Sequence, residues 1–144
     1  MQQKLIAAGV SSEFSKIAGI PTVTKLRVMS QNQQLIRLDF EQAFDSTAAS
    51  QVAQQCQPRL DKVQAVVLSD YAKGVLQDPQ PLIKMARQQQ RPVFIDPKSA
   101  NAQLYHGATV LKPNMAEFEA MVGPCKDEQT LVTKGQQLIQ QCAL

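Results

Sequence analysis

The chain has 144 residues, 44% of them apolar and 19% charged, and a net charge of +3 from 15 basic and 12 acidic side chains. That balance suits a soluble globular domain with a real core and excludes disordered or collagen-like chains. The charges form no run, Trp is absent and aromatics are sparse, so no nucleic-acid surface is expected, whereas anionic small molecules remain candidate partners.

In chain order, the N-terminal stretch before Gly9 reads as the last turns of a helix. Thr22–Ser30 and Leu35–Phe40 alternate apolar and polar residues, with Gln31–Gln34 as the turn, which predicts a β-hairpin with one wet face. The period then changes. Ser46–Leu60 is predicted helical, Ala65–Leu68 a strand, Pro79–Gln90 a helix with Leu82, Ile83 and Ala86 on one side, and Pro92–Ile95 a second strand. Thr109–Leu111 is a third strand, followed by a short helix between Asn114 and Gly123 lined by Phe118, Met121 and Val122. The last helix, Glu128–Gln141, aligns Leu131, Gly135, Leu138 and Cys142 on one stripe. Short apolar strands alternating with amphipathic helices predict an α/β fold, a parallel sheet covered by helices on both faces.

Cys56, Cys125 and Cys142 are odd in number, far apart and in no C-x-x-C pair. They read as buried or half-buried thiols in a reducing compartment rather than as a disulfide framework or zinc site. No apolar run nears the ~18 residues of a membrane span. The N-terminus also lacks a signal-peptide core, so a cytoplasmic protein without membrane partners is expected.

In a parallel α/β sheet, ligands gather at the carboxyl ends of the strands. The three strands end in Ser69-Asp70-Tyr71-Ala72-Lys73-Gly74, in Asp96-Pro97-Lys98, and in Lys112-Pro113-Asn114 with Glu117 one turn on. Carboxylates, an amide and lysines on one rim are the groups needed to hold a phosphorylated ligand and magnesium. Each also has a structural reading. Asp70 and Asp96 fit turn formers, Lys73 and Lys98 solvated loop lysines, and Tyr71 a packed side chain. Arg37 and Asp39 lie on the polar face of the hairpin, where a cross-strand ion pair with Arg27 or Lys25 is the plain expectation. Asn114 and Glu117 have the spacing of a capping box, and the same pair could hold phosphate-bound magnesium or its waters at a helix N-terminus. His106 has no partner of ligand spacing and receives no role. There is no G-x-G-x-x-G, Walker loop, nucleophile elbow or histidine metal site.

The ordered set SDYAKG, IDPK and LKPNMAEFE resembles the ribokinase-like sugar kinases of the PfkB family over nearly the whole chain. Through the hairpin TVTKLRVMSQNQQLIRLDFE, it is most similar to those members that act on heptose 7-phosphate and are joined to an adenylyltransferase. The resemblance implies a ribokinase-like sheet with a lid hairpin at 22–40 and a βαβ core at 46–144. It implies Mg2+ and ATP, with Asn114, Met115, Ala116, Glu117 and Lys98 at the nucleotide and Glu117 reaching magnesium through water. By the same likeness Asp70 and Lys73 lie along the crevice between sugar and nucleotide. Arg37 and Asp39 are candidates for the sugar phosphate, and the hairpin is a homodimer contact.

The family's glycine-rich G-G motif and its G-A-G-D motif, whose Asp is the catalytic base, do not occur in this sequence, nor does a nucleotidyltransferase motif. The expectation is therefore an incomplete domain, the middle part of a heptose 7-phosphate kinase, with no catalytic residue of its own and negligible activity alone. Two rival readings are a non-catalytic nucleotide-binding or dimerisation module, and a kinase for another sugar such as fructose or ribose.

Overall fold

The computed structural model describes residues 1–44 and 46–144. These fall into two units, Met1–Gln42 and Ala43–Leu144.

The first unit holds helix α1 (Gln2–Ala7) and the antiparallel strands β1 (Thr24–Ser30) and β2 (Gln33–Phe40). The turn is shorter than the sequence suggests, Gln31-Asn32 alone, with Gln31 in the left-handed region at φ 49°. Leu26 pairs with Leu38 and Val28 with Ile36, so the alternation sets one apolar face against a polar face of Lys25, Arg27, Arg37 and Asp39. Leu35-Ile36 breaks strict alternation, and the chain absorbs it by a register shift at Val28/Met29, as a β-bulge does. Every residue of both strands is exposed, which corrects the expectation of a single wet face.

In the second unit, α2 (Ser46–Cys56) gives way to a 3-10 helix at Gln57–Lys62, because Pro58 lacks the amide hydrogen that an α-helix interior needs. Then follow β3 (Val66–Ser69), α3 (Gln80–Gln88), β4 (Val93–Asp96), a 3-10 helix at Ala102–Tyr105, β5 (Val110–Leu111), α4 (Met115–Val122) and α5 (Glu128–Cys142). The three strands form a parallel sheet in the order β3-β4-β5. Helical boundaries agree with the sequence reading to within a few residues, except that the predicted helix to Leu60 ends at Cys56 and the 3-10 turn at Ala102–Tyr105 was not anticipated.

The main core joins Leu68, Val93 and Ile95 of the sheet to Leu82, Ile83 and Ala86 of α3, with Leu60, Tyr105 and Ala108 completing it. A second cluster joins Phe118 of α4 to Leu138 and Cys142 of α5 and to Ala102, with Leu111 and Met121 packed against both clusters. Burying each of the larger aliphatic side chains contributes about 1.5–3 kcal/mol.

Among the described residues, helices cover one face of the sheet. On the other, Val67, Phe94 and Val110 stand directly across from one another and are 71%, 39% and 41% exposed. Continuous apolar strands implied cover on both faces; the described residues supply one layer. The thiols are as expected, Cys142 buried and Cys56 and Cys125 half-buried, and burial pushes Cys56 and Cys142 above the ordinary thiol pKa. Among the described residues no helix is long and apolar enough to cross a membrane.

Candidate functional site

β5 stops at Leu111, and Pro113 bars its continuation, so the chain enters α4 through Asn114 in an extended conformation. Asn114 Oδ1 accepts from the Glu117 amide at 3.0 Å, and Glu117 Oε2 accepts from the Asn114 amide at 3.0 Å. The capping box is therefore complete. Helix geometry leaves the first-turn amides of Met115 and Ala116 without intrahelical acceptors, at the positive end of the helix dipole. Both residues are exposed. A shallow cleft of about 240 Å3 opens at this corner, lined by Pro113, Asn114, Met115, Phe118 and Leu131.

The second oxygen of Glu117 accepts from Lys98 Nζ at 3.0 Å, which ties the loop after β4 to the first turn of α4. The Asn114 amide, and after it Lys98, hold the Glu117 carboxyl below the usual glutamate range. Beside it, Lys112 Nζ reaches Asp96 Oδ1 at 3.2 Å, with both side chains more than half exposed. A pair so exposed is worth at most about 1 kcal/mol.

Asp70, after β3, is 8% exposed and satisfied on both oxygens. Its Oδ1 accepts from the Ala72 amide at 2.8 Å, which forms the turn, and its Oδ2 accepts from the Tyr105 hydroxyl at 2.7 Å. The Tyr105 oxygen in turn accepts from the amides of Lys98 at 3.2 Å and Ser99 at 3.0 Å. Burial, and then the hydrogen bond to Asp70, raise the Tyr105 pKa above the ordinary phenol value. Sequence reading missed Tyr105 because its carboxylate partner lies 35 positions earlier; the one local clue was an aromatic beside Gly107 just before a strand.

A cavity of about 340 Å3 adjoins Asp70, bounded also by Phe44, Ala72, Gly74, Ser99 and Leu104. The Phe44 amide donates to the Lys73 carbonyl at 2.8 Å, so the two segments lie against each other at Gly74. A Cβ there would stand 1.9 Å from the Phe44 carbonyl oxygen, and Gly74 has φ +97°. Glycine is required at this point by close approach and by conformation. A larger cavity of about 420 Å3, lined by residues such as Ala49, Ala53, Val75 and Leu82, includes none of the strand-end groups that the sequence singled out.

The second unit thus gathers Asp70, Lys98, Asn114 and Glu117 in one bonded series, with Lys73 half-buried on the loop that follows Asp70. Tyr71 is 72% exposed, which corrects its reading as a packed residue: the Asx turn at Asp70 directs it outward from the core. In the first unit, Arg37 donates from Nη2 to Asp39 Oδ2 at 2.6 Å and from Nε to both carboxylate oxygens. This pair runs along β2 between residues two apart, instead of across to Lys25 or Arg27. Hydrogen bonding to Arg37 holds Asp39 below the usual aspartate range.

For magnesium, the described residues offer no group of three or more His, Cys, Asp or Glu side chains that could cage an ion. Glu117 contributes one carboxylate already shared with an amide and an ammonium. Such a donor set suits an ion that keeps most of its waters and arrives on nucleotide phosphates, touched by Glu117 through a water.

A parallel α/β sheet with a polar rim at successive strand ends and a capped helix N-terminus is the arrangement found where α/β domains meet anionic ligands. The profile of the pfkB family of carbohydrate kinases matches residues 1–143, and the chain belongs to that family. It is 52% identical over 139 residues to the bifunctional protein HldE of Alcanivorax borkumensis, covering 96% of this chain and 29% of that protein. With the protein of the same name from Aliivibrio salmonicida, identity is 54% over 132 residues, covering 92% and 28%. The chain therefore spans less than a third of the length of these relatives. The crystal structure of Sa239 shares the fold, with a TM-score of 0.74 at 14% identity over 96% of this chain and 46% of that one.

Proposed function

We propose that the gene product carrying this chain is an ATP-dependent kinase that phosphorylates D-glycero-D-manno-heptose 7-phosphate at its anomeric hydroxyl. The product is the 1,7-bisphosphate, a step toward ADP-heptose for lipopolysaccharide core. The observation that carries the reading is the bonded rim Asp70, Lys98, Glu117 and Asn114 at successive strand ends of a chain in the pfkB family. The likeness of the hairpin sequence to heptose-phosphate kinases supports this sugar over others.

In this reading the amides at the start of α4, with Asn114, Met115, Ala116 and Lys98, receive the nucleotide phosphates, and Glu117 orders magnesium-bound water. Magnesium supplies charge neutralisation on the phosphates when bound. Asp70 and Lys73 border the crevice between nucleotide and sugar, and Arg37 and Asp39 receive the sugar phosphate, where a guanidinium suits a phosphate's paired oxygens. Transfer is direct and in line, and the chain's residues act by positioning and by fixed charge. The base on the attacking hydroxyl is the Asp of the G-A-G-D motif, which these 144 residues do not contain. The chain by itself should therefore have negligible turnover. The protein works in the cytoplasm as a homodimer through the hairpin, supported by its exposed apolar face of Leu26, Val28, Ile36, Leu38 and Phe40.

That exposed face also favours a second reading, a non-catalytic nucleotide-binding or dimerisation module. Phosphorus NMR of the full-length gene product with Mg-ATP and heptose 7-phosphate, ribose or fructose separates the readings. A new anomeric phosphate with the heptose alone supports the proposal. Transfer to ribose or fructose instead would assign another sugar kinase, and ATP binding without transfer would favour the module.

A further inference from the structure

The Tyr105 hydroxyl is a node with no spare valence. A phenol oxygen has one proton to donate and two lone pairs, and here the proton goes to Asp70 Oδ2 at 2.7 Å while the lone pairs accept the Lys98 and Ser99 amides at 3.2 and 3.0 Å. The ring is fully buried in the main core, so the oxygen cannot follow the loops if they move; they must follow it. From Lys98 the series runs on through Nζ to Glu117 and through Glu117 to the Asn114 amide. A second bond, from the Asp70 amide to the Asp96 carbonyl at 2.9 Å, fixes the same two strand ends where the sheet stops. Beyond that point, the Tyr105 side chain bonds both the loop after β3 and the loop after β4.

We propose that Tyr105 is a positioning residue for phosphoryl transfer: its hydroxyl sets Asp70, on the sugar side, at a fixed distance from Lys98 and Glu117, on the nucleotide side. The inference rests on the kinase reading above. It assigns to a buried core aromatic a role that its sequence neighbourhood does not suggest. Tyr105→Phe keeps the ring in its packed site and removes only the oxygen, leaving two amides and one carboxylate oxygen unpaired. The loops then lose their common anchor, and displacement of reacting groups by about 1 Å is enough to cost about a hundredfold in rate.

The test compares the wild-type full-length gene product with Tyr105→Phe, and with a protein carrying 3-fluorotyrosine at the same position, in steady-state transfer from ATP to heptose 7-phosphate. The expected result is a fall in kcat of tenfold or more in Tyr105→Phe, below its melting transition, with kcat largely retained by the fluorinated residue, which keeps the hydroxyl. The loss should also shrink when Lys98→Ala is already present, because the two changes break one series. A Tyr105→Phe protein with unchanged kcat and only a lower Tm overturns the inference, as does equal loss in both replacements, which would trace the effect to packing. A Tyr105→Phe chain that does not fold assigns the hydroxyl a structural role and also overturns it. A wild-type protein that transfers no phosphate overturns the kinase reading and the inference together, whereas the other outcomes leave that reading standing.

Discussion

Lys98 Nζ lies 3.0 Å from Glu117 Oε1, so the loop after β4 and the first turn of α4 share one carboxylate. The other oxygen of that carboxylate closes the capping box on Asn114. Cap and ligand roles are therefore compatible at this corner: the bonds that stop the helix end from fraying also hold an ammonium and a carboxylate, which in the proposed kinase reading face phosphate and hydrated magnesium.

Glu117→Gln keeps a hydrogen-bond acceptor for the Asn114 amide and removes the charge. We expect a several-fold increase in the magnesium concentration needed for half-maximal ATP turnover in the full-length protein, with a small change in stability. Magnesium titration of the initial rate checks this, and an unchanged requirement would reduce Glu117 to a cap.

Asn114→Ala removes the acceptor for the Glu117 amide and should cost about 1 kcal/mol of folding stability, measured by urea unfolding. If the residue also meets phosphate, turnover should fall by more than that stability loss explains, at a temperature where the variant remains folded.

The acid limb of stability follows from two helix caps. Glu117 is held below its ordinary pKa by the Asn114 amide and Lys98, and Asp127, whose Oδ1 accepts the Thr130 amide at 2.7 Å, is held low by Thr130. Carboxyls whose folded pKa is depressed bind fewer protons folded than unfolded, so their contribution is fully present above the unfolded value of roughly 4. It is lost as pH falls through the depressed folded values. Asp127→Asn retains a capping side chain without the ionisation, and should flatten the loss of Tm below about pH 5 while changing Tm little at pH 7.

Gly74→Ala places a methyl group 1.9 Å from the Phe44 carbonyl oxygen on a backbone at φ +97°. Backbone strain of about 1–3 kcal/mol adds to the displacement of residues 43–44. Thermal unfolding should show a lowered Tm, and the cavity beside Asp70 should change shape. An unaltered Tm would mean that this contact is not maintained in solution.

Ile36, paired with Val28, is 48% exposed at the centre of the hairpin's apolar face. Ile36→Lys should convert a dimer of the full-length protein to monomer in light scattering, because burying an unpaired ammonium costs several kcal/mol. A dimer that survives the substitution would move the interface elsewhere.

The sequence made the strand-helix alternation plain because each element carries its own period: Leu82, Ile83 and Ala86 face the core as spaced, and Leu138 and Cys142 are buried on the stripe read from α5. The capping box was equally legible, since its two partners are three residues apart. What escaped were relations between distant residues and features without a period. The 3-10 turn at Ala102–Tyr105 spans four residues, too few to show a period, and Tyr105 finds Asp70 only through the fold. The open face of Val67, Phe94 and Val110 could not be foreseen, because a run of apolar residues looks the same whether one side of the strand is covered or both. The hairpin register suggests a cross-strand ion pair of Arg37 or Asp39 with Arg27 or Lys25; the two-residue spacing of Arg37 and Asp39 on one face brings them together along the strand instead.

The central claim is that the corner of Asn114, Glu117 and Lys98 receives a magnesium nucleotide. Calorimetric titration of the protein with Mg-ATP, in parallel with Glu117→Gln, tests it most directly. Saturable binding that requires magnesium and weakens severalfold in the variant is the expected result. Binding that is indifferent to both magnesium and the substitution, or none in the folded full-length gene product, would contradict it.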